Sequence, residues 1–351
     1  MGSYIINKEE SARFNILKYI SIILVVYIHS YATHMNFSDG TSNLTLPWWL
    51  FSVEKFISHV IANCAVPMFF LISSILLFKA ERNYKKTMIG KVKTLLIPYL
   101  FWNSFWIIVF ILLQCFPFTG HFFSEDSTPI LQSSISEWLA LYGISLTVRY
   151  PQDYPLWFMR DLMVVTLFFP IIGKIASKFP TTLLIISAAL LLAPISFLFK
   201  QALLWFCIGA CIVNLQIHMT IFDNIALWKF TLVYIPCAFI TLLIQHHITN
   251  TLFSFIGIIY WVRVSKSIFD FVKARSVFAK LSEWTFIIYA AHELTLTSLK
   301  KVCIKLLPVQ PIWLLAEYLI LPIVVIAGCS IVGAVCKKVA PKLYSIITGA
   351  R

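Results

Sequence analysis

Asn15-Ile-Leu-Lys18-Tyr-Ile-Ser-Ile-Ile-Leu-Val-Val-Tyr-Ile-His29-Ser30 is an apolar run interrupted by one lysine and one histidine. Lys8, Arg13 and Lys18 precede or open it, as they would a secretory signal peptide. The run ends, however, in Tyr31-Ala-Thr-His34, a poor small-residue cleavage site, and it keeps an imidazole among its apolar residues. It therefore reads as a retained membrane anchor, and that reading decides the fold class. Crossing about 30 Å of hydrocarbon takes roughly 20 apolar residues. Runs of this kind recur near 16–35, 56–78, 93–116, 156–174, 181–199, 201–216, 226–245, 249–266, 283–303 and 312–336. They predict an all-α polytopic helix bundle of about ten transmembrane helices in the lipid bilayer, forming one membrane domain over residues 1–351.

Composition agrees. Of 351 residues, 60% are hydrophobic and only 12% charged, too little polar surface to coat a soluble globule of this size. The net charge of +13 raises the question of nucleic acid, but the basic residues lie in short clusters between apolar runs and form no single stripe, so no nucleic-acid partner is expected. Topology accounts for them. With the N-terminus inside, the inner segments hold 21 of the 28 Lys and Arg: Lys8, Arg13 and Lys18, six from Lys79 to Lys93, Lys174, Lys178, Lys229, five from Arg263 to Lys280, and Lys337, Lys338, Lys342 and Arg351. The outer side holds Lys55, Arg149, Arg160, Lys200, Lys300, Lys301 and Lys305. The positive-inside rule thus places both termini in the cytoplasm.

The longest break is 116–156, where Leu131–Leu146 carries Glu137 and four serines and reads as an interfacial or re-entrant segment. Asn36-Phe-Ser and Asn43-Leu-Thr match a glycosylation acceptor pattern, which matters only in a eukaryotic secretory pathway. The eight cysteines show no Cys-x-x-Cys spacing and read as buried small hydrophobes; no metal site is expected. No fixed-period repeat and no matched pair of Gly/Pro-broken helices is visible, which disfavours an inverted-repeat transporter.

An ionisable group inside a span costs about 2.5–3.5 kcal/mol on insertion scales, so each one is a candidate for function. Lys18 and His29 stand in the first span, Arg160 and Asp161 near the outer end of the fourth, His292 and Glu293 midway along the ninth, and Glu317 in the tenth. Eleven helical steps of ~100° put Lys18 and His29 on one face, roughly 16 Å apart along the axis. One helix then links the cytoplasmic surface to an imidazole suited to moving a proton near neutral pH. A plainer reading has His29 bonded to a neighbouring helix and Lys18 reaching the head groups. Lys79, Arg82, Lys85, Lys86, Lys91 and Lys93, against Glu81, form a cluster that suits the phosphates of a nucleotide-bearing group or anionic lipid. Trp157 and Arg160 stand beside the outer half of the first span, as a sugar-binding pair or as interface anchors.

The stretch Asn15–Ser30, with Lys18, ten residues and His29, resembles the opening of the membrane-bound acyltransferase-3 family. Val66-Pro-Met-Phe-Phe-Leu-Ile-Ser73-Ser74 is similar to that family's Val-Pro-x-Phe-Phe-x-x-Ser-Gly stretch. Leu95-Leu-Ile-Pro98-Tyr-Leu-Phe-Trp102, Leu156-Trp-Phe and Ile288-Tyr-Ala-Ala-His292 follow in the family's order. Two positions depart from the pattern: Lys18 stands where arginine is usual and Ser74 where glycine is usual. The resemblance implies a bacterial inner-membrane enzyme that moves an acyl group, acetyl from acetyl-CoA above all, to a hydroxyl of a surface polysaccharide or lipid-linked sugar, in the manner of the branch acetylating enterobacterial common antigen. It implies Lys18, Arg82, Lys91 and Lys93 on the acyl-CoA phosphates, His29 as general base or acyl carrier with Lys18 on the same helix, and Trp157, Arg160 and His292 toward the acceptor. The alternative is a transporter that exports a glycan or lipid-linked intermediate without chemistry, with His29 and His292 as proton-responsive groups.

Overall fold

The computed structural model describes residues 4–31, 46–80, 82–116, 119, 129–145, 150–193 and 199–350. The triplets at Asn36 and Asn43, together with Glu81 and Arg149, lie outside the described residues. All regular elements among the described residues are helical, as expected for a backbone that must satisfy its own hydrogen bonds in lipid. In chain order they are α1 (Lys8–Ser30), α2 (Trp48–Lys55), α3 (Ala65–Phe78), α4 (Tyr84–Lys91), α5 (Ile97–Cys115), α6 (Ile135–Leu141), α7 (Trp157–Leu167) and α8 (Phe169–Lys178). The second half contributes α9 (Pro180–Leu192), α10 (Lys200–Asn214), α11 (Leu227–Ile244), α12 (His247–Asp270), α13 (Val272–Leu281), α14 (Thr285–Leu306), α15 (Pro311–Val339) and α16 (Pro341–Thr348).

Among the described residues, six helical stretches are long and apolar enough to cross a membrane: α1, Trp48–Phe78, Tyr84–Cys115, α11, α12 and α15. A seventh joins Tyr154–Leu167 to α8 across a 64° bend. The windows expected at 181–199 and 201–216 fall on α9 and α10, which at 13 and 15 residues are short for a full crossing. The window at 283–303 falls on α14, long enough at 22 residues but charged at Glu293, Lys300, Lys301 and Lys305. The break after α5 holds α6, whose seven residues span only about 10 Å, so this helix does not cross. Its start is set by Ser134, which accepts from the Glu137 amide while the Glu137 carboxylate accepts from the Ser134 amide. Outward faces are apolar: Leu243 is 82% exposed, and Ile331 and Val332 are exposed on α15, surface that suits lipid and not water. Of the eight free cysteines, Cys64, Cys207, Cys211 and Cys329 are buried, whereas Cys115 is exposed at the end of α5, contrary to the expectation of uniform burial.

The chain divides into two compact units. The first comprises Met1–Val25, Phe56–Lys91 and Asp161–Thr285. Here α3 packs closely on α10: Ser74, fully buried, donates to the carbonyl of Phe206 at 2.6 Å. Gly209 faces it, and a Cβ at that position would lie 2.5 Å from the Ser74 Cβ. The small residue of this contact is thus on α10, which explains how serine fits where glycine is usual. Helix α1 starts well before its apolar window because its charged first turns have partners. Arg13, fully buried, donates to Asp223 Oδ2 at 2.8 Å, Ser265 Oγ at 3.1 Å and the Val262 carbonyl at 2.9 Å. Glu10 meets His218 Nδ1 at 2.8 Å, and Tyr4 stacks on that imidazole at 4.6 Å.

The second unit comprises Val26–Lys55, Val92–Arg160 and Phe286–Arg351. Helix α5 anchors it. Trp102 Nε1 donates to the carbonyl of Ile347 at 3.0 Å, and the Tyr99 hydroxyl donates to the carbonyl of Tyr142 at 2.7 Å. The C-terminal helix α16 ends at Gly349, at φ +69, where a Cβ would meet the Thr94 carbonyl oxygen at 2.7 Å; both conditions call for glycine.

Candidate functional site

Within the second unit, spacings of three and four place Tyr289, His292, Glu293, Leu296 and Lys300 on one side of α14. His292, Leu296 and Lys300 are buried. The Tyr289 hydroxyl donates to the carbonyl of Pro155 at 2.7 Å, tying this side of α14 to the turn Tyr154–Leu156. Asn103 of α5 supports the same turn, accepting from the Asp153 amide at 3.3 Å.

The last turn of α1 reaches this region. The helix ends at Ser30, so His29 sits in its final turn. Three contacts hold that turn. Tyr27 Oη donates to the Leu319 carbonyl at 3.2 Å, and Ser30 Oγ to the Tyr318 carbonyl at 3.1 Å. The second bond has a clear origin, because Pro322 lacks the amide hydrogen that would otherwise serve Tyr318 within α15. The third contact is Lys300, whose ammonium donates to the carbonyls of His29 and Tyr31 at 3.4 and 3.1 Å. A cation at a helix C-terminus is favourable, and Glu54, Glu293 and Glu317 stand within electrostatic reach of it.

His29 and His292 meet edge to face, with ring centroids 5.1 Å apart, and His29 also contacts the Tyr154 ring at 5.6 Å. His292 Nδ1 lies 2.9 Å from the carbonyls of both Ile288 and Tyr289. Carbonyl oxygens only accept, so Nδ1 carries the hydrogen, and in the neutral ring Nε2 is a bare acceptor. That Nε2 is buried without a hydrogen-bond partner, as is Oδ2 of Asp153. Burial, with the Glu293 carboxylate behind it, holds the Asp153 carboxyl well above the usual carboxylate range. Glu293 itself accepts from Thr297 Oγ1 at 3.2 Å. The arrangement offers a lone-pair base next to a second imidazole, which suits removal of a proton from a hydroxyl.

Of the residues singled out in the sequence, the structure brings His29 and His292 together. Trp157 is half-buried at the start of α7, and Arg160 donates to the carbonyl of Gly143 at 3.4 Å, supporting the turn after α6. Lys93 is exposed in the π-turn Val92–Leu96 of the second unit. Lys18, Arg82 and Lys91 belong to the first unit. Arg82 is exposed and uses Nε and one Nη to cap the Leu77 and Leu76 carbonyls at 2.9 and 3.1 Å, so part of its fork closes α3. Asp153, Tyr154 and the helix-capping role of Lys300 were not legible in the sequence. Asp153 stands in a polar Pro151-Gln-Asp153 loop that reads as solvated, and Lys300 reads as one of a basic pair at a helix end.

A family model described as an acyltransferase domain matches residues 11–334. Over 202 residues the chain is 28% identical to the succinoglycan biosynthesis protein ExoH of Rhizobium meliloti (strain 1021), covering 56% of this chain and 51% of that protein. The chain thus spans about half the length of the curated relative it matches. No solved structure matches it.

Proposed function

Because the chain belongs to the acyltransferase-3 family, we propose that it is a membrane O-acyltransferase that moves an acyl group, acetyl in the first instance, from cytoplasmic acyl-CoA to a hydroxyl of a surface polysaccharide or lipid-linked sugar. The observation that carries this reading is the contact between His29 and His292 at 5.1 Å, with an unpartnered ring nitrogen on His292. The similarity to a succinoglycan biosynthesis protein supports a carbohydrate acceptor.

In this account an imidazole takes the acceptor's hydroxyl proton, the hydroxyl oxygen bonds to the acyl carbon, the carbon–sulfur bond breaks, and the proton passes to the leaving thiolate. His29 serves either as that base or as the group that first takes the acyl unit from the thioester. Lys18, Arg82, Lys91 and Lys93 hold the donor's phosphates, and Trp157, Arg160 and His292 face the acceptor. The chain sits in a bacterial inner membrane with about ten crossings and both termini cytoplasmic, which the asymmetry of Lys and Arg supports.

Incubating the purified protein in detergent with acetyl-CoA and surface glycan extracted from cells lacking the protein tests this reading. Consumption of acetyl-CoA with a matching gain in glycan mass supports it. An acceptor of unchanged mass, with glycan movement seen only in sealed vesicles, would replace it with a transporter.

A further inference from the structure

Two buried polar atoms beside the histidine pair lack hydrogen bonds: His292 Nε2 and Asp153 Oδ2. Their residues are 0% and 1% exposed, so solvent at the surface does not satisfy them. Native interiors rarely leave such atoms bare unless something else fills the role. Both flank one turn. Asp153 heads Tyr154–Leu156, Tyr289 is tied to the Pro155 carbonyl at 2.7 Å, and His292 stands one helical turn beyond Tyr289 on α14.

The surroundings match a carbohydrate. Tyr154 is 38% exposed, its ring touches His29, and Tyr150 packs on it with centroids 4.4 Å apart. This aromatic pair offers an apolar surface for the carbon face of a sugar ring. The two bare atoms offer hydrogen-bond sites for hydroxyls, each of which both donates and accepts.

We infer that Asp153 and His292 form the subsite that receives the acceptor sugar, with one ring hydroxyl donating to His292 Nε2 and a neighbouring hydroxyl bonded to Asp153 Oδ2, both beside the hydroxyl that reacts at His29. Tyr154 and Tyr150 form its aromatic edge. The inference rests on the acyl-transfer reading above and adds to it a residue that binds the acceptor and not the donor. Asp153 is positioned by the Asn103 bond to its amide, so its carboxyl points from a fixed base.

The test is steady-state kinetics on the full-length protein in detergent, with acetyl-CoA as donor and, as acceptor, surface glycan extracted from cells lacking the protein. Asp153→Asn keeps the shape of the side chain and changes its hydrogen-bonding capacity. We expect the KM for the glycan to rise by about tenfold or more, the size expected for one well-placed polar contact, with the KM for acetyl-CoA unchanged. His292→Gln should raise the glycan KM in the same way, and it reads the same subsite if Asp153→Asn does not fold. An unchanged glycan KM in a folded variant of either residue, or an equal rise in both KM values, overturns the inference. Failure of the unmodified protein to transfer any acyl group would instead overturn the acyl-transfer reading itself, so the two failures are distinct.

Discussion

Lys300 donates to the main-chain carbonyl of His29 at 3.4 Å, so a residue on α14 closes the helix that presents the histidine. The same ammonium takes the Tyr31 carbonyl at 3.1 Å. Lys300 is only 6% exposed, and Glu54, Glu293 and Glu317 stand within electrostatic reach of it.

Removing the ammonium leaves the His29 and Tyr31 carbonyls without their donor. Lys300→Met should destabilise the protein by about 1–3 kcal/mol, the range for leaving buried acceptors without their donor. It should also lower kcat by loosening the turn that bears His29. Lys300→Arg keeps the charge and should recover part of both. Thermal unfolding in detergent, paired with acyl-transfer rates, checks this; a Met variant with unchanged melting temperature and rate would remove Lys300 from the account.

Ser30 supplies the hydrogen that Pro322 cannot give to the Tyr318 carbonyl. Ser30→Ala should cost about 1–2 kcal/mol, because a buried acceptor loses its donor. Pro322→Ala restores a backbone amide in α15 and should make Ser30 dispensable, so the double variant should be less destabilised than the sum of the singles. Strict additivity would show that the two residues do not share this carbonyl.

The contact of α3 with α10 makes a similar claim about space. A Cβ on Gly209 would sit 2.5 Å from the Ser74 Cβ and 3.0 Å from the Leu71 carbonyl oxygen. Gly209→Ala should cost about 1–3 kcal/mol by overpacking. Adding Ser74→Gly should relieve most of that cost, since it returns the small residue to α3. Melting temperatures of the two singles and the double in matched detergent decide it.

Much of the fold could be read from the apolar windows, because lipid demands long uninterrupted apolar helices and their composition is visible one residue at a time. The windows read less well where local chemistry overrode hydropathy. Helix α1 extends back to Lys8 because Arg13 and Glu10 find partners in Asp223 and His218, contacts more than two hundred residues apart in sequence. Helix α14 bears charge along its length, and the buried Lys300 finds its partners in the main-chain carbonyls of His29 and Tyr31, far away in sequence. In the site, His29 and His292 stood out as ionisable residues in apolar runs, and their contact required only that the two helices meet. Asp153 did not stand out. A carboxylate in a short polar loop has no signature until the fold buries it and leaves one oxygen bare.

The most direct test of the central claim is the mass of surface glycan from cells carrying the intact chain and from cells carrying His29→Ala, with membrane levels of the two proteins matched. The account predicts that the intact chain adds one acyl increment per modified sugar and that the variant adds none, with equal amounts of glycan at both surfaces. Identical glycan masses, with less glycan reaching the surface of the variant cells, would contradict acyl transfer at His29 and point to export without chemistry.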